Sequence, residues 1–561
     1  VTNPTGTGIY VTNHKGNIDL FNVTVYGATG AGGFGTPTAG DGAWLDNCDW
    51  DSVKHKCGDG TGNVNISNSS FNANHSGGVS VFTNGSALLD RVEGNGNLNR
   101  DGAFLDVRKG ATVKDSRFNG NLGFSNGLFI NGQGALSLQN VYAQANIWDG
   151  IYLNVTNDIT VNGGFFAGNS GYGLVAYSTG GNITLNNITT WGNGGGVRVD
   201  NSTSVSARTV TVNNSFFSST SGGVGLQVKS KGNVTLNHID SEGNYGNGVS
   251  IDNAILDGGS YQGSGSVSLL NTLGPNQFSN NSGSAITAKS KGPISVKGVF
   301  ATGNSSGILL DSCAPDPNPP HSCLGKGNIM LSGLQVEGTT TGYGLTAETG
   351  GAISQDKGRF DGNHNGVYLH NTSVTAAKAV TVTNSVFANT MNPNSVGLEA
   401  CSKGNITLNN VQAVNNQGAV NYVPVSQWIS GILLDNCQDV GSGCTGSGSV
   451  SVLSSLGASK AAGNTQGEGL SIFSHGAITV SGFASTNNGG GAYIDNIPGA
   501  GTLTITKSTF SNNTGAQGGL MAYSARAITL NGVQADANPN GYGVEINNCL
   551  IDCLGSGNVS I

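Results

Sequence analysis

Asn182-Ile-Thr-Leu-Asn-Asn-Ile-Thr-Thr-Trp-Gly-Asn-Gly-Gly-Gly-Val-Arg-Val-Asp200 decides the fold. Ile183 and Leu185 alternate with polar neighbours, and Val197 and Val199 do the same beyond a glycine-rich corner. Alternation over so few residues marks strands buried on one face, and no strand here is long enough to bury a core alone. Stacking one copy on the next, about 4.8 Å apart, would pair each backbone group with the coil above and below.

The same run recurs along the whole chain. Strand starts lie at Asn17, Asn63, Ala87, Ala111, Ala135, Asp158, Asn182, Thr209, Asn233, Ser266, Pro293, Asn328, Ala352, Ala379, Asn405, Ser449, Ala477, Thr502, Ala527 and Asn558. Positions 63, 87, 111 and 135 are each 24 residues apart. A period of that size is one coil of a solenoid. The expectation is an all-β parallel β-helix of about twenty coils of about 24 residues or more, a rod of roughly 95 Å. Residues 1–561 then form a single continuous domain.

Gly and Asn concentrate at the corners, where positive φ is needed and amides can bond one another. Asn169, Asn193, Asn244, Asn304, Asn363, Asn488, Asn513 and Asn538 occupy one corner and are expected to form an internal ladder.

Gly404-Asn-Ile-Thr-Leu-Asn-Asn-Val411, closed by Gly431-Ile-Leu-Leu-Asp-Asn436, resembles the right-handed parallel β-helix repeat of pectin-lyase-like proteins of the bacterial secreted and surface type. The resemblance covers the whole chain. It implies the fold and is nearly silent on function, because that fold carries lyases, hydrolases, adhesins and fibres. A longer period sits above the coil: residues 196–365 and 366–548 read as degenerate copies of one block. In that alignment Ala254 and Tyr261 replace Cys437 and Cys444 together, as bonded partners should.

Composition narrows the functional classes. Charged residues are 10% of the chain, Gly numbers 92 and the net charge is −8. With 24 Lys plus Arg scattered singly, the basic footprint of a nucleic-acid binder is missing. No apolar run of membrane-spanning length occurs. Nine cysteines include four close pairs: Cys48 with Cys57, Cys313 with Cys323, Cys437 with Cys444, and Cys549 with Cys553. Disulfides are favoured over zinc, since each pair is alone in its loop, though His55 and His321 lie inside two of them. The pairs point to an oxidising, extracellular location. Cys401 is left over, an exposed free thiol or an intermolecular link, with chance replacement as the plainer reading.

Carbohydrate-active enzymes of this fold resemble one another in projecting aspartates from adjacent coils, with calcium and a basic residue in the lyases. Asp46, Asp49, Asp51 and Asp59 form the richest acidic segment; they could hold calcium, but lack the EF-hand spacing and are read as a solvated loop. Asp311, Asp435 and Asp495 recur at one coil position, where strand-end capping explains them. The expectation is therefore no catalytic residue, no metal and no cofactor. Tyr10, Trp44, Phe104, Phe129, Tyr152, Tyr368 and Tyr493 share one coil position and should face outward as an aromatic stripe, either a contact surface or plain stacking. Sequons such as Asn22, Asn65, Asn154, Asn182 and Asn405 are accounted for by composition.

The first residues read as the later part of a coil and the last as the opening of a strand. This suggests a window of a longer repeat or a subunit that stacks end to end. The function expected is an extracellular structural solenoid, a stiff stalk or fibre whose partner is itself; a carbohydrate-binding adhesin is the alternative, and a polysaccharide lyase or hydrolase the second alternative. Insertions at Gly27–Gly42 and Gln417–Ser430 could supply a groove wall.

Overall fold

The computed structural model describes residues 1–12, 15–30, 32, 36–51, 56–123, 125–257, 260–313, 323, 325–371, 377–418, 420–422, 427–436, 446–496, 501–548 and 557–561. Every helix or strand among them is a strand, and each strand start named above carries one. The chain forms two compact units: Val1–Ile255 with Thr272–Gln277 and Asn281–Gly283, and Leu256–Asn271 with Phe278–Asn280 and Ser284–Ile561.

In the first unit, long strands such as Ala135–Gln144, Ile159–Ala167, Ile183–Trp191, Val210–Ser218 and Val234–Glu242 pair in parallel, strictly in register: Leu136, Ile159, Ile183, Val210 and Val234 follow one another. Short strands such as Ala103–Val107, Leu128–Gly132 and Ile151–Val155 make a second parallel sheet. The second unit repeats both, for example with long strands Val380–Ala388 and Ile406–Val414 and short strands Asn365–Asn371 and Leu398–Ser402. Apolar residues of both sheets face inward and are fully buried, Ile183, Leu185 and Val197 among them.

The long strands bend at one residue. Asn187 has φ 55° and Asn140 φ 51°, and in the second unit Asn384 has φ 49° and Asn410 φ 57°. This left-handed conformation is cheap for Asn and costly for most other side chains. It resets the alternation, so that Ile183 and Leu185 point inward before the bend and Ile188 and Thr190 after it. Phenylalanines stack beyond the bend, and the rings of Phe360 and Phe387 lie 5.5 Å apart and nearly parallel.

At the corner before the short strands, buried asparagines bond coil to coil. In the first unit Asn74 Nδ2 donates to Asn97 Oδ1 at 3.0 Å, Asn97 to Asn121 at 3.0 Å, Asn121 to Asn146 at 2.9 Å, Asn146 to Asn169 at 2.9 Å and Asn169 to Asn193 at 2.9 Å. The second amide proton goes to a carbonyl, as from Asn146 to Phe118 O at 3.0 Å. The acceptor oxygen also takes the neighbouring backbone amide, as from Asn121 N to Asn146 Oδ1 at 3.0 Å. Asn244 donates to Asn281 in the same way. In the second unit Asn416, Asn464, Asn488, Asn513 and Asn538 run consecutively, while Asn304 and Asn363 bond the Phe278 and Val336 carbonyls. Thr220, Thr339 and Thr390 stand in the row where no Asn is present. Serines add a second row, with Ser116 Oγ accepting Val92 N and donating to Lys114 O.

Both amide protons and the oxygen of Asn146 are used, so removing it orphans several partners. Asn146→Ala is expected to lower stability by about 1–3 kcal/mol for each buried group left unpaired, and Asn99→Ala, at an exposed site, by less than about 0.5 kcal/mol. Thermal unfolding followed by circular dichroism measures both.

Candidate functional site

The outer face of the short-strand sheet collects the side chains read as a possible contact surface. In the first unit Tyr10 pairs with Trp44, and Ser80, Phe104, Phe129, Tyr152, Val175, Arg198 and Gln227 follow in one register column. Phe104 and Phe129 stack at 5.2 Å with 4° between planes, and Phe129 and Tyr152 at 5.1 Å with 1°. Their faces therefore cover one another and mainly their edges reach solvent. Trp44 does not lie open as the sequence suggested. It is 2% exposed, packed with Phe82 and Cys48 beneath Tyr10 and Trp50. Arg198 in that column holds its guanidinium 5.3 Å from the centre of the Tyr177 ring.

Beside that row the strand ends carry a hydrogen-bonded line of Asp106, Asn131 and Asn154, with Asn131 Nδ2 to Asp106 Oδ2 at 3.2 Å and Asn154 Nδ2 to Asn131 Oδ1 at 3.3 Å. With Arg108, Gln133, Thr156 and Thr179 they line a hollow of about 240 Å³ over Gly132. At the strand entrance Asp101 accepts both amides of Asn126, and Asp149 accepts Tyr172 N at 2.6 Å. Burial pushes both carboxyls up to about 6 against these bonds.

Cys48 and Cys313 each lie two residues past a short-strand end, after Asp46 and Asp311. Cys48 and Cys57 form a disulfide, as do Cys313 and Cys323. Cys437, Cys444, Cys549 and Cys553 lie outside the described residues, together with His55 and His321. Asp46 Oδ1 accepts Cys48 N and its Oδ2 accepts Trp50 N, both at 3.0 Å, so this carboxylate closes its own loop. Asp311 Oδ1 accepts Cys313 N at 2.8 Å in the corresponding place. Cys401 forms no disulfide among the described residues, and it is buried rather than exposed, at 6%, with Glu399 Oε1 3.7 Å from its sulfur. Its strand position places it outward, in register with His370 and Asp435 of the adjacent coils.

The second unit arranges the outer face differently. One column runs Thr287, Leu309, Thr346, Tyr368, Glu399, Leu433, Ser471, Tyr493, Met521, Glu545. Two residues on, Asp311, Glu348, His370, Cys401, Asp435, Phe473, Asp495 and Tyr523 follow Lys289. Tyr368 Oη lies 2.9 Å from His370 Nδ1, and burial holds that imidazole down to about 4, hence neutral. Burial, with Asp435 adding to it, raises Glu399 to about 7. Tyr493 is 7% exposed, in a buried cluster with Val396, Ile429, Leu433, Phe473 and Tyr523.

Glu468 stands at the coil position that Asp101 and Asp149 hold in the first unit, three residues before the outward column. There the next coil's backbone amide, Gly490 N, already bonds Gly467 O. Glu468 is 1% exposed, and among the described residues no other residue bonds its carboxylate oxygens. Desolvation lifts its carboxyl to about 7, its own amide offsetting only part.

A family profile described as right handed beta helix region matches residues 57–216 and 101–254. No curated protein matches the chain significantly.

Because the carboxyl of Glu468 binds its proton more tightly folded than unfolded, its contribution is fully present below about pH 4.5 and is lost as pH rises through about 7. Glu468→Gln is thus expected to be more stable than the native chain at about pH 8.5, by at most roughly 3 kcal/mol, and no more stable at about pH 4. Melting temperatures across that range test the sign.

Proposed function

We propose, from the premise that the chain is a right-handed parallel β-helix protein, that it is a structural solenoid of the cell exterior, a stiff stalk or fibre element rather than a catalyst. One observation carries this reading: side chains that could recognise a ligand are turned instead onto the next coil. The faces of Phe104, Phe129 and Tyr152 are spent on each other, and the amides of Asn74 through Asn193 on the ladder. Same-face neighbours in a sheet stabilise one another by about 0.2–1 kcal/mol a pair, so long rows of them favour stiffness along the stacking direction. Disulfide-closed loops are compatible with secretion or surface display. The partner in this reading is another copy of the chain.

A carbohydrate-binding adhesin is the second reading. It is favoured by the hollow lined by Asp106, Arg108, Asn131, Gln133, Asn154 and Thr156, where carboxylate, amide and hydroxyl groups converge beside the aromatic edges. Such groups bond sugar hydroxyls in pairs.

Electron microscopy of native material at near-neutral pH is expected to show long fibres. Isolated short particles would overturn the structural reading. Retention on immobilised neutral glycans, abolished by Asn131→Ala, would then put the adhesin in its place.

A further inference from the structure

On the outer face of the long-strand sheet one register column carries two long runs of hydroxyls. In the first unit Thr112, Ser137, Thr160, Thr184, Thr211 and Thr235 follow one another coil to coil. In the second, Ser354, Thr381, Thr407, Ser451, Thr479, Thr504, Thr529 and Ser560 do the same. The residues on either side of each point inward, as Ile183 and Leu185 do about Thr184, and are buried. The column itself is part-exposed along its length and fully exposed at Thr112, Ser137, Ser354 and Ser560.

The columns flanking it bond between coils. Two residues before, Asn182 N donates to Asp158 Oδ1 at 2.7 Å and Thr209 Oγ1 to Asn182 Oδ1 at 3.1 Å. Two residues after, Asn213 Nδ2 donates to Asn186 Oδ1 at 2.9 Å and Thr506 Oγ1 to Ser481 Oγ at 3.0 Å. The hydroxyls of the central column bond no protein group among the described residues. Their spacing is the reason: hydroxyls one coil apart, about 4.8 Å, are too distant for a bond of about 2.8 Å. One water between them fits, since two bonds of about 2.8 Å meeting at the tetrahedral angle span about 4.6 Å. That span is the second-neighbour distance of any tetrahedrally bonded water lattice, ice included. From Thr160 to Thr235 the column and its two flanks hold one charged side chain, Asp158, and no aromatic ring. The face therefore lacks both the strongly hydrated charges that disturb such a lattice and the rings on which a ligand pocket is usually built.

We propose that this face binds the surface of ice. Each pair of successive hydroxyls holds one water, the row of waters takes its repeat from the strand register, and its remaining bonds continue into the crystal. The Thr methyl groups beside the hydroxyls offer no competing donor or acceptor. The proposal goes beyond the structural reading above and does not rest on it: a fibre and an isolated rod present the same column.

Growth of a single ice crystal in a supercooled solution of the whole chain tests the proposal. Growth is expected to stop over a measurable interval below the melting point, and the chain to be taken up by a slowly advancing ice front that excludes a globular protein of similar mass. Thr184→Tyr with Thr479→Tyr places one bulky strand-forming side chain in each run and is expected to shrink the interval at least about five-fold. Gln227→Tyr with Met521→Tyr, on the outer face of the short-strand sheet, is expected to leave it unchanged. If the first pair fails to fold, uptake of the native chain by the ice front decides alone. Exclusion of the native chain from ice, or equal losses in both pairs, would overturn the proposal. So would retention on crystalline cellulose or chitin, abolished by Thr184→Tyr with Thr479→Tyr, in a chain that does not stop ice growth; the column would then belong to a polysaccharide.

Discussion

The amide-to-amide hydrogen bond between buried asparagines of successive coils is the constraint on which the rest depends. A buried polar group left unpaired costs on the order of 1–3 kcal/mol, yet each Asn brings three such groups into the interior. The cost is met only when the next coil places another Asn, or a Thr, at the same height. Coils joined by that match also keep their strands in strict register. Asn146, with bonds to Asn121, Asn169 and Phe118, shows how one rung fixes the coils on both sides of it.

Because register is fixed, the outer face of the short-strand sheet becomes a set of straight columns, and its chemistry is set by what falls in register. In the first unit aromatic rings coincide and close on one another. In the second, carboxylates coincide, and burial raises two of the acids there to about 7. The same scaffold thus produces an inert stack in one place and a charged face in another. No change of backbone is needed for the difference.

The strand starts were legible because alternation and the corner glycines repeat at nearly constant spacing. The disulfides at Cys48–Cys57 and Cys313–Cys323 lie within single loops, where proximity in sequence is proximity in space. The Asn row was read only in part: Asn74, Asn97, Asn121, Asn146, Asn416 and Asn464 belong to it, and the short strand that follows each of them was the available signal. What could not be read were relations across coils of unequal length. Asp311, Glu348, His370, Cys401 and Asp435 are neighbours although steps of 37, 22, 31 and 34 residues separate them. The burial of Trp44 and Cys401 has the same origin, since direction along a strand predicts which way a side chain points and not what a neighbouring coil or loop lays over it.

Native-state amide hydrogen exchange tests the central claim most directly. If the buried ladder holds the coils, the amides of Asn97, Asn121, Asn146 and Asn169 exchange as slowly as those of the strands Ile159–Ala167 and Ile183–Trp191, although they lie at corners. Exchange of these corner amides at the rate of exposed loops, while the strands stay protected, would contradict it.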